Sequence, residues 1–228
     1  MTIILSIETA TPVCSVALHN ENKLLGVYEL HTEKSHSEQI TVLIEQICKQ
    51  NNISLKEISA VAVSKGPGSY TGLRIGTATA KGLCFALQKP LIAVNTLEGM
   101  IWQISACVEP ETLLCPMIDA RRMEVYCLLA NREKEIIEPT QALIVEPHSF
   151  EKYLSEKKIV FFGNGASKCK DILNHENAVF WENLYPSARS VGQIAWQKYQ
   201  QSEFENLIYF EPFYLKDFVG VQPAKKML

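Results

Sequence analysis

Short apolar runs and helical repeats follow one another along the first half of the chain. Three β-branched-rich runs, separated by polar turn residues, lie at 3–7, 13–18 and 24–30. Such runs joined by tight turns predict an antiparallel three-stranded meander. Apolar residues then recur with the spacing of one helix face, at Ile40, Leu43, Ile44, Ile47 and Cys48. Ser35 and Glu38 have the spacing of a capping box and predict where this helix begins.

Strand and helix patterns alternate after the meander, and a looser version of the same order follows in the second half. The first half continues with strands at 58–63 and 91–94 and helices at 71–87 and 96–107. The second half has strand patterns at 113–118, 124–130, 135–137 and 159–162, and helix patterns at 149–155, 166–173 and 187–201. The sequence therefore predicts an α/β protein with two domains of the actin-like and Hsp70-like ATPase (ribonuclease H-like) architecture. Each domain is of the βββαβαβα type, and the second is reduced.

The predicted domain boundary falls between the third helix and the next strand. We expect an N-terminal domain at 1–108 and a C-terminal domain at 109–217. The helix at 187–201 is assigned to the second domain, with packing back on the first as the alternative. Residues 218–228 lack periodicity, and we expect them to be mobile or to be ordered only by a partner.

Composition and charge restrict the function classes. The 228 residues carry a formal charge of −3, which gives no overall basic field for nucleic acid. The chain starts without a basic segment ahead of a long apolar run, and no stretch has the length of a membrane span. The seven cysteines show no C-x-x-C pair, which favours buried thiols in a reducing compartment over a zinc site. These features predict a cytoplasmic protein without a membrane partner or bound metal.

The segment KGPGSYTGLRIG, at 65–76, has the appearance of a phosphate-binding loop. It fails the P-loop pattern, because five residues separate Gly66 from Gly72 and Leu73 stands in the lysine position. It fails the dinucleotide pattern as well, because Thr71 occupies the third glycine position. A tight turn with Ser69 or Thr71 capping the next helix is favoured, and a weak anion contact at the helix N-terminus is the alternative.

The helix after this loop carries small residues at every fourth position. They form two ridges, one of Gly72, Gly76 and Ala80 and the other of Ala78, Gly82 and Ala86. Glycine inside a helix costs about 1 kcal/mol relative to alanine, so three glycines suggest a packing requirement. Two interpretations remain open. Both ridges pack on the protein's own sheet, or one ridge packs there and the other accepts a helix of a second subunit.

Several segments together resemble the bacterial TsaB (YeaZ) family. They are ILSIETATPVCSVAL, SHSEQ, AVSKGPGSYTGLRIGTATAKGL, PLIAVNTLEGM and MIDARRMEVY, in this order over 3–126, with weaker support from FFGNGA and the last helix. The resemblance implies a scaffold or activating subunit in formation of N6-threonylcarbamoyladenosine at position 37 of tRNA. It implies pairing with the catalytic paralogue TsaD, recruitment of the ATPase TsaE, and a homodimer when the chain is alone. Contact with tRNA is expected only within the complex.

The resemblance also places the subunit interface on the helices at 37–49 and 71–87. The expected interface residues are Ile40, Leu43, Ile47, Leu73, Gly76, Thr77, Ala80, Lys81 and Cys84. No catalysis by the chain alone and no cofactor of its own are expected, with ATP and magnesium as the alternative. The residues that would touch a phosphate or nucleotide, as vestiges of an ATPase site, are Glu8, Thr9, Ser15, Gly66, Gly68 and Ser69.

The chain departs from its catalytic relatives at positions that matter for chemistry. The catalytic paralogue has N-H-x-E-G-H with two metal-binding histidines, whereas this chain has Thr96 and Met100 there. Hydroxyl and thioether groups do not replace two imidazoles, so no metal site is expected. Glu8 stands where the family usually has the aspartate that holds magnesium. Asp119 is expected to accept hydrogen bonds in its own turn and to pair with a neighbouring arginine.

Two other functions are alternatives to the scaffold role. An ATP-dependent phosphotransferase of the acetate-kinase or sugar-kinase class would use Asp119 as its general base and the first hairpin for phosphate. A metalloprotease would need the two ligands that are missing at Thr96 and Met100. Micromolar, magnesium-dependent ATP binding would favour the kinase, and stoichiometric iron or zinc would favour the protease.

Overall fold

The first half of the chain forms one five-stranded sheet with three helices. The computed structural model describes residues 1–31 and 36–216. The elements of this half are β1 (Ile3–Glu8), β2 (Cys14–Asn20), β3 (Lys23–Leu30), α1 (His36–Gln50), β4 (Ile58–Gly66), α2 (Tyr70–Leu87), β5 (Leu91–Asn95) and α3 (Thr96–Ile104). The strand order is β3-β2-β1-β4-β5. β1, β2 and β3 are antiparallel neighbours, and β4 and β5 add in parallel, as the βββαβα order requires.

The second half repeats this topology with smaller elements. They are β6 (Leu113–Asp119), β7 (Glu124–Ala130), β8 (Ile136–Ile144), α4 (Glu151–Leu154), β9 (Ile159–Phe162), β10 (Ala178–Trp181) and α5 (Ala188–Gln200). The order β8-β7-β6-β9-β10 matches that of the first sheet strand for strand. The predicted duplicated α/β architecture is therefore confirmed. The helix predicted at 166–173 is only a 3₁₀ turn, Ser167–Cys169, and β10 was not predicted.

The last helix of each half packs against the other half. Leu97, Met100 and Ile101 of α3 join a core cluster with Leu114 of β6 and Phe162 of β9. Reciprocally, α5 belongs to the second half but covers the first sheet. Its Val191, Ile194 and Ala195 pack against Ile4 of β1, Ala60 and Ala62 of β4, and Ile92 of β5. The two halves are thus joined by exchanged helices rather than by a flexible linker.

The approach of α5 to the first sheet depends on a glycine. A Cβ added at Gly192 would overlap Nδ1 of His19 and would lie 2.9 Å from Oγ of Ser6. Both ring nitrogens of His19 lack a hydrogen-bond partner among the described residues, and its side chain is fully buried. Because any side chain at position 192 would meet this ring, glycine sets how closely the two halves pack.

Helix starts follow the local sequence. Ser69 is the N-cap of α2, and its Oγ accepts a hydrogen bond from Gly72 N at 3.3 Å. Asn95 caps α3, and its Oδ1 accepts from Leu97 N at 2.9 Å. α1 begins at His36, but the predicted capping residue Ser35 lies outside the described residues, as does the predicted tail at 218–228.

Candidate functional site at the first hairpin and the α1–α2 face

The six predicted phosphate-binding residues lie at β1, β2 and the loop before α2. Gly66 ends β4, and Gly68 and Ser69 follow it against the β1–β2 hairpin. Ser69 N donates to Ala10 O at 2.7 Å. A Cβ added at Gly68 would overlap the same carbonyl oxygen. The loop therefore binds the hairpin directly, and glycine at 68 is required by that close approach.

Glu8 is turned into the protein rather than towards a ligand. Its side chain is only 1% exposed, and Oε1 accepts hydrogen bonds from Ala10 N at 2.6 Å and from Ser64 Oγ at 2.8 Å. Burial raises the pKa of this carboxyl to about 7, although the hydrogen bonds from Ala10 and Ser64 act in the opposite direction. A buried carboxyl that is easily protonated does not fit the role of a magnesium ligand.

The hydroxyls of Thr9 and Ser15 serve neighbouring helices. Thr9 Oγ1 donates to Gly72 O of α2 at 2.8 Å. Ser15 Oγ accepts from Ala188 N, the first residue of α5, at 3.0 Å. Both residues are fully buried. These polar groups thus link β1 to α2 and β2 to α5.

The corresponding hairpin of the second half is also tied by internal contacts. Asp119 Oδ1 accepts from Arg121 N at 3.0 Å, which is the turn that the sequence predicted. Its charge partner is Lys168 and not an arginine, so that part of the prediction is corrected. The reason lies in the fold, because the loop after β9 brings Lys168 against this hairpin.

The segment that aligns with the catalytic metal motif is buried in the core between the halves. Thr96 and Met100 are at most 1% exposed on α3. Across residues 1–31 and 36–216, no group of three or more His, Cys, Asp or Glu side chains is placed to hold a metal ion. In the same residues, no helix is long and apolar enough to cross a bilayer.

The predicted interface set needs correction. Eight of its nine members are buried inside the protomer: Ile40, Leu43, Ile47, Leu73, Gly76, Thr77, Ala80 and Cys84. They face the first sheet, as in the contact of Gly76 with Thr9. The ninth, Lys81, is half-buried and donates from Nζ to Ile208 O at 3.2 Å and to Phe210 O at 3.0 Å. These eight residues are therefore part of the core of the protomer.

An apolar groove of about 660 Å³ is lined mainly by residues of α1 and α2. Ile44 and Cys48 of α1 form buried parts of its lining, and Leu83 of α2 is half-buried. Ala78 and Gly82 from the second small-residue ridge of α2 are exposed along it. A Cβ at Gly82 would meet no atom within 4 Å. Of the two ridges, one therefore packs within the fold and the other lies open.

Burial shifts the pKa values of two groups of the first sheet in opposite directions. Burial, with a contribution from Arg189, lowers the pKa of His19 to about 4 from its ordinary value of 6.5, while burial raises that of Glu8 from 4.5 to about 7. The folded state thus releases the His19 proton more readily and holds the Glu8 proton more tightly than the unfolded state. The His19 contribution to stability rises with pH between about 4 and 6.5, and the Glu8 contribution falls with pH between 4.5 and about 7.

We therefore expect Glu8→Gln to remove the contribution of Glu8 to stability, which falls as the pH rises. Relative to the wild type, the free energy of unfolding of this variant should rise by about 1.4 kcal/mol per pH unit between pH 4.5 and 7. His19→Asn should show the opposite slope between pH 4 and 6.5. Urea titrations at a series of pH values measure both differences. A constant offset between variant and wild type across these ranges would show that neither group is perturbed.

The duplicated sheet topology, the exchanged terminal helices and the two loop-bound hairpins define a protein of the actin-like ATPase fold class. The family model described as "TsaD: tRNA N6-adenosine threonylcarbamoyltransferase" matches residues 13–226. The Escherichia coli K12 tRNA threonylcarbamoyladenosine biosynthesis protein TsaB is 32% identical over 227 residues, which cover 95% of this chain and 96% of that protein. The chain belongs to the TsaB (YeaZ) family.

Solved structures agree with this assignment. A Pseudomonas aeruginosa protein, described as uncharacterized and similar to the peptidase YeaZ, superposes with a TM-score of 0.84 at 25% identity. The match covers 95% of this chain and all of that one. A Clostridium difficile activator of 2-hydroxyisocaproyl-CoA dehydratase, solved with bound ADPNP, has a TM-score of 0.53 at 8% identity and covers 90% of this chain and 99% of that one. The second likeness concerns the fold alone.

Proposed function

We propose that this chain is a non-catalytic subunit in the biosynthesis of threonylcarbamoyladenosine in tRNA. In this role it pairs through the α1–α2 groove with a TsaD-type catalytic subunit and thereby recruits a TsaE-type ATPase. Alone, it forms a homodimer through the same groove. Its relatives of similar length are named for this pathway, and the family model that matches it is named for the catalytic transferase.

The observation that carries the proposal is the open glycine of α2. Gly72 and Gly76 are explained by the fold, because a Cβ at either would overlap Thr9. Gly82 has no such explanation, yet it costs about 1 kcal/mol relative to alanine in an exposed helix. It lies in the apolar groove beside Ala78, where a second helix can approach the backbone closely. The cost of Gly82 is explained if a partner occupies that space.

The surroundings of the groove suit a protein partner. Leu55, at one end, and Phe85, on the last turn of α2, are exposed by 38% and 80%. Glu45 and Lys49 of α1 line the groove and are exposed. Apolar surface bordered by charged side chains is typical of a protein–protein interface. In such an interface the apolar side chains would be buried, and the charged side chains would orient the partner.

The absence of catalysis by the chain alone is the second part of the proposal. It is supported by the positions of the groups that a kinase or a metalloprotease would need. Glu8 is buried, Asp119 is tied to Lys168, and Thr96 and Met100 provide neither imidazole of the catalytic motif. We propose that the chain contributes its surface to the reaction and that ATP and metal are bound by its partners.

Reconstitution of the modification tests this function. Purified chain, a TsaD-type catalytic subunit, a TsaE-type ATPase, unmodified tRNA and the activated threonylcarbamoyl donor are combined, and modified adenosine is measured by mass spectrometry. We expect the modification to fall to background when this chain is left out and to return when it is added. Equal modification with and without the chain would contradict the proposal.

A further inference from the structure

A strip of basic and aromatic residues lies outside the α1–α2 groove and is not used in the pairing proposed above. Its members are Tyr70 and Arg74 of α2, Tyr214 and Lys216 of the segment after α5, and Arg121 and Arg122 of the β6–β7 hairpin. We call these six residues the Arg–Tyr strip. It extends from the first half of the protein to the second.

One end of the strip is aromatic. The ring centroids of Tyr70 and Tyr214 are 5.0 Å apart, with the planes tilted by 36°. The guanidinium carbon of Arg74 lies 5.0 Å from the centroid of Tyr70. Tyr214 remains 38% exposed. This end therefore presents an accessible ring whose position is fixed by a second ring.

The segment at 211–216 joins this end to the other half. Phe213 N donates to Lys65 O at 2.7 Å, next to the loop that precedes α2. Three residues further on, Lys216 pairs with Glu124 of β7. Glu124 N donates to Arg121 O at 3.1 Å, so the residue that pairs with Lys216 belongs to the hairpin that carries the two arginines. The strip is thus continuous across the two halves.

The other end of the strip presents two adjacent arginines. Arg121 and Arg122 are exposed and have left-handed backbones, with φ of 71° and 49°. Left-handed geometry is unusual for residues other than glycine, and here the hairpin is held by Lys168. Its Nζ donates to Arg122 O at 2.6 Å and to Glu124 O at 2.7 Å, and it pairs with Asp119. The hairpin thus has a defined shape.

The charge of the strip differs from that of the chain. Asp119 and Glu124 are neutralised by Lys168 and Lys216. No described carboxylate lies within 4.0 Å of the guanidinium nitrogens of Arg74, Arg121 or Arg122. Three arginines without an ion pair in the described part of a chain of net charge −3 form a local positive surface.

We propose that the Arg–Tyr strip binds a single-stranded segment of RNA. Arg121 and Arg122 contact backbone phosphates, and the ring of Tyr214 stacks on an unpaired base. An acidic protein surface would satisfy the arginines but would leave the exposed tyrosine ring unexplained, whereas a polyanion with flat bases fits both ends. The inference rests on the proposed function, from which the RNA is a tRNA and the unpaired segment is its anticodon loop.

The test compares a charge-removing variant with a matched control. Arg121→Gln/Arg122→Gln removes two adjacent cations of the strip, and Lys157→Gln/Lys158→Gln removes two adjacent exposed cations elsewhere. Each is assembled with the catalytic subunit, and binding of unmodified tRNA is measured over a salt series. We expect the arginine variant to bind about tenfold more weakly at ~150 mM salt, with the slope of log K against log salt smaller by about 1.4. The control should match the wild type.

A second variant tests the stacking contact. Tyr214→Ala should weaken tRNA binding about tenfold, and Tyr214→Phe, which keeps the ring, should bind as the wild type does. Photocrosslinking of the lone chain to an anticodon stem-loop RNA at about 50 mM salt gives a readout that does not depend on assembly, and the crosslink should map to the segment around Tyr214.

Assembly of each variant with the catalytic subunit is measured in parallel without RNA. Wild-type pairing with weakened tRNA binding by both strip variants supports the inference. Unchanged tRNA affinity and salt slope would overturn it, and so would variants that lose a protein partner while keeping their RNA affinity. If the wild-type chain fails to pair, the proposed function is contradicted. In that case the crosslink of the lone chain to RNA tests the inference, and the absence of a crosslink would overturn it.

Discussion

Gly82→Trp is expected to abolish pairing of this chain with its catalytic partner while leaving the chain folded. A Cβ added at position 82 meets no atom of the protomer within 4 Å, and Gly82 is exposed, so a larger side chain can be directed into the open groove. In the pair, the indole would occupy the groove beside Ala78 where the partner's helix is expected. We expect the dissociation constant to rise by about 100-fold or more, equivalent to about 2.7 kcal/mol. Isothermal titration calorimetry measures this change.

Gln46→Trp is the matched control for this variant. Gln46 is exposed on α1 but does not line the groove. The same bulk at this position should leave the affinity within a few-fold of the wild type. Thermal unfolding of both variants should resemble that of the wild-type chain. If Gly82→Trp pairs normally, a partner helix does not occupy the groove, and the assignment of the interface is wrong.

Gly72→Ala is expected to give the largest loss of stability from a single methyl group. The added Cβ would overlap the carbonyl oxygen of Thr9. Because this oxygen belongs to the backbone, the overlap cannot be removed by rotating a side chain. α2 would have to move away from β1, and the hydrogen bond from Thr9 Oγ1 to Gly72 O would be distorted. We expect the free energy of unfolding to fall by about 3 kcal/mol, measured by urea titration.

Replacing glycine by alanine on the exposed ridge is expected to change the free energy of unfolding in the opposite direction. Gly82→Ala adds its methyl group to open space in a helix, so the free energy of unfolding should rise by up to about 1 kcal/mol. This contrast between two glycines of one helix distinguishes a packing requirement of the fold from one of a partner. Equal effects of Gly72→Ala and Gly82→Ala would show that the two ridges do not differ.

Much of the fold could be predicted because its signals are local. β-branched runs, helical spacing and the caps at Ser69 and Asn95 act over a few residues, and the βββαβα order of the first half follows from them. The elements that were missed are short or reduced. β10 has four residues, and the predicted helix at 166–173 keeps one 3₁₀ turn. Elements of this length carry too little periodicity to be recognised.

The sequence does not show which residues of α1 and α2 are buried within the protomer and which stay accessible. Helical spacing shows that Gly76 and Ala80 share a face, and that Ala78 and Gly82 share another. It does not show which face is covered by the protein's own sheet. That depends on where Thr9 and the β1–β2 hairpin lie, which is a tertiary property. Similarly, the exchange of α3 and α5 between the halves depends on contacts distant in sequence.

We expect a second protein chain to cover the groove between α1 and α2, along which Gly82 is exposed. Hydrogen–deuterium exchange of the chain, alone at a concentration where it is monomeric and with the catalytic subunit in excess, tests this most directly. We expect peptides covering 41–49 and 78–86 to gain protection in the complex, while peptides of β8 should not. Unchanged exchange in both groove peptides, with protection elsewhere on the chain, would contradict it.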